Sequence, residues 1–182
     1  MTSAMGAGET LARLVFDVPD YPEPGVVFKD ITPVLADHAA FTEIVEALAA
    51  AGRDDSGATV VDAVVGMEAR GFILAAPVAL ALGAAFVPVR KAGKLPRATY
   101  AESYSLEYGR ATLEMHRDAL SPGDRVLLVD DVLATGGTVA ATVRLIEAAG
   151  AVAVGASVLM ELSNLGGRET IGDLPLRSLL TV

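Results

Sequence analysis

Short apolar runs alternate along the chain with segments whose apolar residues recur every three or four positions. Continuous apolar runs typical of strands buried in a parallel sheet occur at 59–65, 85–89, 126–129 and 151–160. Helical spacing of apolar residues occurs at 39–51, 72–82 and 139–149. This alternation predicts an α/β fold with a central, mostly parallel sheet flanked by helices.

The N-terminal segment has a weaker pattern. Residues 9–16 favour a helix, and residues 17–25 are rich in proline and turn residues, which predicts a loop. Phe28 follows in the segment V-V-F-K-D-I-T-P, residues 26–33. An aromatic residue in such a polar loop segment either packs into a small satellite core or offers a face on which a planar base stacks.

The segment 126–150 carries the clearest chemical signal. A buried strand is followed by Asp130 and Asp131, then by the small-residue loop A-T-G-G-T at 134–138 and a helix that Gly150 ends. An open α/β sheet binds ligands at such a strand–loop–helix junction, and backbone N–H groups at a helix N-terminus favour an anion. The alternative is an ordinary tight turn. Because two carboxylates would repel a phosphate unless sugar hydroxyls donate to them, the pair predicts a ribose 5-phosphate site.

Two other loops follow predicted strands. The first, G-M-E-A-R-G at 66–71, contains Arg70, and the second, at 90–97, has four basic residues in eight. Each could be only a turn or a solvated loop. Since both follow strands of the same sheet, they are expected to lie at one edge, where their charges could neutralise a diphosphate.

A two-stranded ribbon is predicted for 102–108 and 111–116, with its turn at Gly109-Arg110. An isolated hairpin packs poorly. The ribbon is therefore expected to be a mobile lid and not part of the core.

Composition narrows the possible functions. The 182 residues fit one domain, and a formal charge of −9 argues against non-specific binding to nucleic acid or to an anionic membrane. The chain has no cysteine and two histidines, so neither a thiolate nucleophile nor a zinc centre is expected. The N-terminus lacks a signal-peptide pattern, and the long uncharged stretch at 73–89 is too interrupted for a membrane span. A cytoplasmic protein is expected.

Four motifs occur in one order along nearly the whole chain: VVFKDITP (26–33), GMEARGF (66–72), RKAGKLP with SYSLEYG (90–96 and 103–109), and VDDVLATGGT (129–138). The last resembles the 5-phosphoribosyl-1-diphosphate (PRPP) motif of type I phosphoribosyltransferases. The second and third narrow the resemblance to the adenine branch of that family.

The resemblance implies a single-domain type I phosphoribosyltransferase fold over 1–182, with a hood at about 9–35, a mobile lid at about 91–116 and a PRPP loop at 130–138. It also implies that adenine and PRPP give AMP and diphosphate in the presence of Mg²⁺, with no metal bound directly by protein side chains. A homodimer is implied because the family's counterpart of Arg90 often comes from the partner subunit.

Site residues follow from the resemblance, position by position. The 5-phosphate would be bound by Ala134, Thr135, Gly136, Gly137 and Thr138, the ribose hydroxyls by Asp130 and Asp131, and the diphosphate by Arg70, Arg90, Lys91 and Lys94. Adenine would stack on Phe28 while the backbones of Val27 and Lys29 read its edge. Many relatives have arginine at position 29, which is harmless if only the backbone contacts the base. Glu107 matches the family's proposed acid–base residue.

Three other functions compete with this interpretation. The chain could be a phosphoribosyltransferase for another purine, or a PRPP-sensing regulator, although a regulator needs a nucleic-acid surface. Asp130 and Asp131 could also form a Mg²⁺-binding phosphotransfer pair. The separate acidic residue and lysine that accompany such pairs are not evident in the sequence.

Overall fold

This computed structural model describes residues 6–105 and 110–182, which form a series of helices and strands. The N-terminal third comprises α1 (Ala7–Leu14), β1 (Phe16–Pro19), β2 (Val27–Asp30), α2 (Thr32–Ala36) and α3 (His38–Ala49), followed by a 3-10 turn at Ala50–Gly52. The middle comprises β3 (Ala63–Met67), α4 (Arg70–Leu82), β4 (Ala85–Lys91), β5 (Thr99–Ser105) and β6 (Arg110–His116). The last third comprises β7 (Arg125–Leu133), α5 (Gly137–Ala148), β8 (Val152–Glu161), a 3-10 turn at Ser163–Leu165, α6 (Gly167–Ile171) and β9 (Leu176–Thr181).

Seven strands form one sheet in the order β5-β6-β4-β3-β7-β8-β9. The five strands from β4 to β9 in this order are parallel, and β6 is antiparallel to both of its neighbours. This arrangement confirms the predicted α/β fold with a mostly parallel sheet between helices.

The central strand β7 shows why its apolar run is continuous. Val126 and Leu128 face a core cluster that includes α5, whereas Leu127 and Val129 face a second cluster that includes α3 and α4. All four are fully buried. A strand covered by helices on both faces has no polar face, so the period-2 alternation is lost.

β7 is longer than its apolar run. It continues to Leu133, so Asp130 and Asp131 lie within the strand and not beyond its end as the sequence suggested. The extension is paired, since Asp130 aligns with Val158 and Val132 with Met160 of β8. Because β8 is long, its pairing with β7 extends the sheet to include the two aspartates near the end of β7.

The predicted ribbon is not isolated. β6 pairs with β4 through Arg90↔Glu114 and Lys91↔Leu113, and Leu113 is buried in the core. The expectation that the ribbon stays outside the core is therefore wrong for its base, because β4 extends far enough to pair with β6. Residues 106–109, including Gly109 of the predicted turn, lie outside the described residues, and the lid's motion stays a prediction.

The segment around Phe28 is a strand, where a loop was expected. β1 and β2 form a two-stranded antiparallel sheet in which Val18 aligns with Phe28. Leu11 of α1 and Ile31, which are both buried, belong to the cluster that includes α3 and α4. The proposed limits of hood, lid and domain stay predictions. Within 6–105 and 110–182, no helix has the length and apolarity needed to cross a membrane.

Candidate active site

The loop between β7 and α5, residues 134–138, is here called the phosphate loop. It includes Gly136, the N-cap of α5, whose φ of 81° is in the left-handed region that glycine adopts at little cost. A small cavity of about 70 Å³ is lined entirely by residues 132–139. Backbone N–H groups at this helix start, together with the helix dipole, favour an anion there.

The phosphate loop packs against α6, a contact that the sequence did not predict. A Cβ on Gly136 would lie 2.6 Å from the carbonyl oxygen of Gly167 and 2.8 Å from Cβ of Thr170. A Cβ on Gly167 would in turn overlap the carbonyl of Ala134. Because neither glycine has a side chain, the backbone of the phosphate loop can contact the backbone of α6 directly.

Gly136→Val is expected to lower both stability and affinity for a phosphorylated sugar. The loss of stability follows from the overlap of the new side chain with α6. Each charge-assisted amide–phosphate bond is worth about 1.5–3 kcal/mol. Thermal unfolding and PRPP titration would measure the two effects. Gly57→Val is the matched control, because Gly57 has a similar φ of 85° but a Cβ there meets nothing within 4 Å; equal losses in both variants would contradict the packing argument.

The acidic pair lies deep in the site. Asp131 is 6% exposed, and its backbone N–H donates to Oδ1 of Asp130 at 2.9 Å. Burial raises the pKa of Asp130 well above its usual range, and the neighbouring Asp131 raises it further. Oδ2 of Asp131 is buried without an aligned hydrogen-bond donor among the described residues. The pair thus has acceptor capacity for hydroxyl donors of a ligand.

Arg70, the first residue of α4, connects the acidic pair with β2. Its Nη2 lies 2.8 Å from Oδ2 of Asp131, its Nη1 donates to the carbonyl of Lys29 at 3.2 Å, and its Cζ lies 4.7 Å from the ring centroid of Phe28. The next residue allows this approach, since a Cβ on Gly71 would lie 2.8 Å from Oδ1 of Asp130. The structure therefore brings two predicted site segments together through Arg70.

Glu68 organises the basic loop and was missed by the sequence reasoning. Its carboxylate oxygens lie 2.6 Å from Nζ of Lys94 and 3.4 Å from Nε of Arg90, and it accepts from the backbone N–H of Lys91 at 3.0 Å. The Lys94 hydrogen bond, with help from the other two residues, lowers the pKa of Glu68. Its position in the loop that also carries Arg70 was the available signal. A diphosphate would compete with Glu68 for these cations.

Glu107 lies outside the described residues, so its predicted role is untested. The preceding strand is nevertheless anchored to the site, because the hydroxyls of Tyr104 and Thr138 lie 3.1 Å apart. This contact places the end of β5 beside the phosphate loop.

Phosphate loop, acidic pair and sheet topology together define a phosphoribosyltransferase, and a model of the phosphoribosyl transferase domain matches residues 34–174. The chain is 68% identical to the adenine phosphoribosyltransferase of Nocardioides sp. over 98% of this chain and 96% of the relative. It is 59% identical to that of Streptomyces coelicolor over the full length of both. The chain therefore belongs to the adenine phosphoribosyltransferase family.

Solved structures agree with this assignment. The adenine phosphoribosyltransferase of Rhodothermus marinus superposes with a TM-score of 0.90 at 51% identity, covering 97% of this chain and 98% of the other. The enzyme of Saccharomyces cerevisiae, solved with adenine and an imino-altritol bisphosphate, has a TM-score of 0.90 at 35% identity, with 96% and 98% coverage. These matches confirm the family and fold that the four motifs indicated.

Proposed function

We propose that the protein transfers the phosphoribosyl group of PRPP to adenine, giving AMP and diphosphate, as a purine salvage enzyme. The observation that carries the proposal is the convergence of the acidic pair, the phosphate loop and β2 on one site, with Arg70 in contact with both Asp131 and β2. In the reaction, the bond from ribose C1 to the diphosphate oxygen breaks, a bond to adenine N9 forms, and the N9 proton is lost.

Each part of PRPP has a matching group. The phosphate loop would bind the 5-phosphate, and Asp130 and Asp131 would accept hydrogen bonds from the ribose hydroxyls. Arg70, Arg90, Lys91 and Lys94 would face the diphosphate. Departure of the diphosphate leaves an oxocarbenium-like C1, so positive side chains that stabilise the leaving anion accelerate the step.

Backbone groups of β2 supply base specificity. Arg70 donates to the carbonyl of Lys29, which supports a role for this carbonyl as the acceptor for the amino group of adenine. A 6-oxopurine has an acceptor where adenine has its amino group, so it would leave the Lys29 carbonyl without a hydrogen-bond donor. The unpaired carbonyl would strongly disfavour binding of such a base. The side chain of Lys29 instead pairs with Asp17 at 2.8 Å, which supports a purely backbone role and explains why arginine could replace it.

Mg²⁺ fits the oxygen chemistry of the site, because Asp130 and Asp131 present carboxylate oxygens, which this ion prefers. Arg70 already lies 2.8 Å from Asp131. Residues 6–105 and 110–182 contain no group of three or more side chains suited to hold a metal by themselves. We propose that Mg²⁺ enters with PRPP oxygens, where it would help to neutralise the leaving diphosphate.

A homodimer is supported by an exposed apolar stripe on α4. Leu80 is 84% exposed and Ile73, two turns earlier on the same face, is 45% exposed. Large apolar side chains in such a pattern are typical of an interaction surface. Leu80→Arg is expected to shift the protein toward monomer in sedimentation velocity, and an unchanged sedimentation coefficient would contradict this interface. The cytoplasmic location stays a prediction.

The test of the function uses purified protein with PRPP and Mg²⁺, supplied separately with adenine, hypoxanthine, guanine and xanthine. Formation of AMP and diphosphate from adenine, with little nucleotide from the three 6-oxopurines, is expected. Nucleotide from a 6-oxopurine with none from adenine would contradict the proposal.

A further inference from the structure

Arg70 makes the two contacts that are expected of adenine, a stack on Phe28 and a hydrogen bond to the carbonyl of Lys29. Its guanidinium stacks over Phe28 with Cζ 4.7 Å from the ring centroid, and its Nη1 donates to the Lys29 carbonyl at 3.2 Å. A guanidinium is planar and presents donors along its edge, as the amino-bearing edge of adenine does. The side chain and the base would therefore compete for the same ring face and the same acceptor.

We propose that Arg70 occupies the base site until PRPP draws it away, so that PRPP binding creates the site for adenine. This inference rests on the proposed function and gives a residue expected to contact diphosphate a second role. Arg70 would act as a positioning residue that makes the affinity for one substrate depend on the other.

The contacts of Arg70 explain how PRPP could move it. Its Nη2 lies 2.8 Å from Oδ2 of Asp131, a carboxylate proposed to accept ribose hydroxyls. Bound ribose would compete with Arg70 for this carboxylate, while the diphosphate would offer the guanidinium a larger negative charge nearby. The Arg70 side chain is 37% exposed, so it can change rotamer without disturbing the core.

Competition between Arg70 and the base affects the measured affinity for both substrates. If only a fraction of the protein has Arg70 away from Phe28, base affinity without PRPP is reduced by that fraction. PRPP would remove this reduction. By reciprocity, a bound base must strengthen PRPP binding by the same factor.

The test measures binding of 9-deazaadenine, which has carbon in place of the nucleophilic N9 and therefore forms a stable complex with PRPP. Isothermal titration would compare parent protein and Arg70→Ala, with and without PRPP and Mg²⁺. We expect Arg70→Ala to bind the base about tenfold more tightly than the parent without PRPP, and PRPP to tighten base binding in the parent but scarcely in the variant. Arg70→Lys, which keeps the charge but loses the planar stack, should behave similarly and serves if Arg70→Ala does not fold.

Lys94→Ala is the matched control, because it removes a cation proposed for the diphosphate that has no contact with Phe28 among the described residues. It should weaken PRPP binding without tightening base binding. Weaker or unchanged base binding by Arg70→Ala and Arg70→Lys would overturn the inference, while AMP synthesis by the parent would show that the proposed function stands. Failure of the parent to make AMP from adenine would overturn both.

Discussion

Glu107→Gln is expected to lower kcat by about 10²–10⁴-fold, the usual contribution of a positioned general acid or base. Adenine must lose its N9 proton as the ring nitrogen bonds to C1, and a carboxylate near the imidazole ring of the base can accept or relay it. Tyr104, three residues earlier, contacts Thr138 of the phosphate loop. The described end of β5, which precedes Glu107, thus lies beside the phosphate loop.

Steady-state kinetics over a range of pH would test this role. PRPP binding should stay within a few-fold of the parent, and one limb of the pH–rate profile should flatten. Glu102→Gln is the matched control on the same strand, because Glu102 pairs with Arg144 at 2.9 Å and is outside the proposed machinery. If kcat of Glu107→Gln stays within about threefold of the parent, the proton leaves by another route.

The double variant Asp130→Asn, Asp131→Asn is expected to bind PRPP more weakly, although it removes negative charge near an anion. Each lost hydroxyl–carboxylate bond is worth about 1.5–3 kcal/mol, or about 10- to 150-fold in affinity. Electrostatic repulsion alone predicts the opposite result, tighter PRPP binding after the two carboxylates are removed. Titration with PRPP in the absence of base would decide, with tighter binding refuting the assignment to the ribose hydroxyls.

Asp62→Asn is the control for this variant. Asp62 pairs with Arg125 at the other end of β7 at 3.2 Å, with both side chains nearly half exposed. Asp62→Asn therefore removes a carboxylate charge away from the site, and such surface pairs contribute little to stability. PRPP affinity should be unchanged.

Asp130→Asn alone should stabilise the fold at neutral pH while it weakens substrate binding. The pKa of Asp130 is raised in the folded state, so stability falls as pH rises from the ordinary carboxyl pKa through this raised value. Asparagine avoids that loss and keeps an oxygen for the Asp131 N–H. The variant's higher Tm at pH 7 should disappear below about pH 4, and a Tm at or below the parent's at pH 7 would contradict the argument.

Much of the fold and site could be predicted because its signals are local. The apolar run of β7, the small-residue loop and the start of α5 are contiguous in the sequence. A strand that is buried on both faces requires apolar residues at successive positions, so the sequence itself shows this burial. The residues of the proposed PRPP site could be predicted for the same reason, since they lie at the ends of strands β3, β4 and β7 or in the segments that follow them.

Contacts between distant segments could not be predicted in this way. Glu68 reaches a lysine 26 residues away, and Gly136 is restricted by Gly167 of α6. The full length of β7 depends on pairing with β8, and the ribbon joins the core because β4 continues through Lys91. Hydrophobic periodicity and turn-forming residues indicate the local structure around a residue. They do not indicate which residues from distant parts of the chain will contact it.

By itself, the sequence determined the strand, loop and helix of the proposed phosphate site, and its four motifs indicated the family. Only the tertiary structure decided what faces each site residue. Arg70 shows the difference, since its charge suggested a phosphate ligand, whereas in the folded chain it stacks on Phe28 and donates to Lys29, 41 residues away. Residue type limits the bonds that a side chain can make, but the packing of strands and helices selects which partner is within reach.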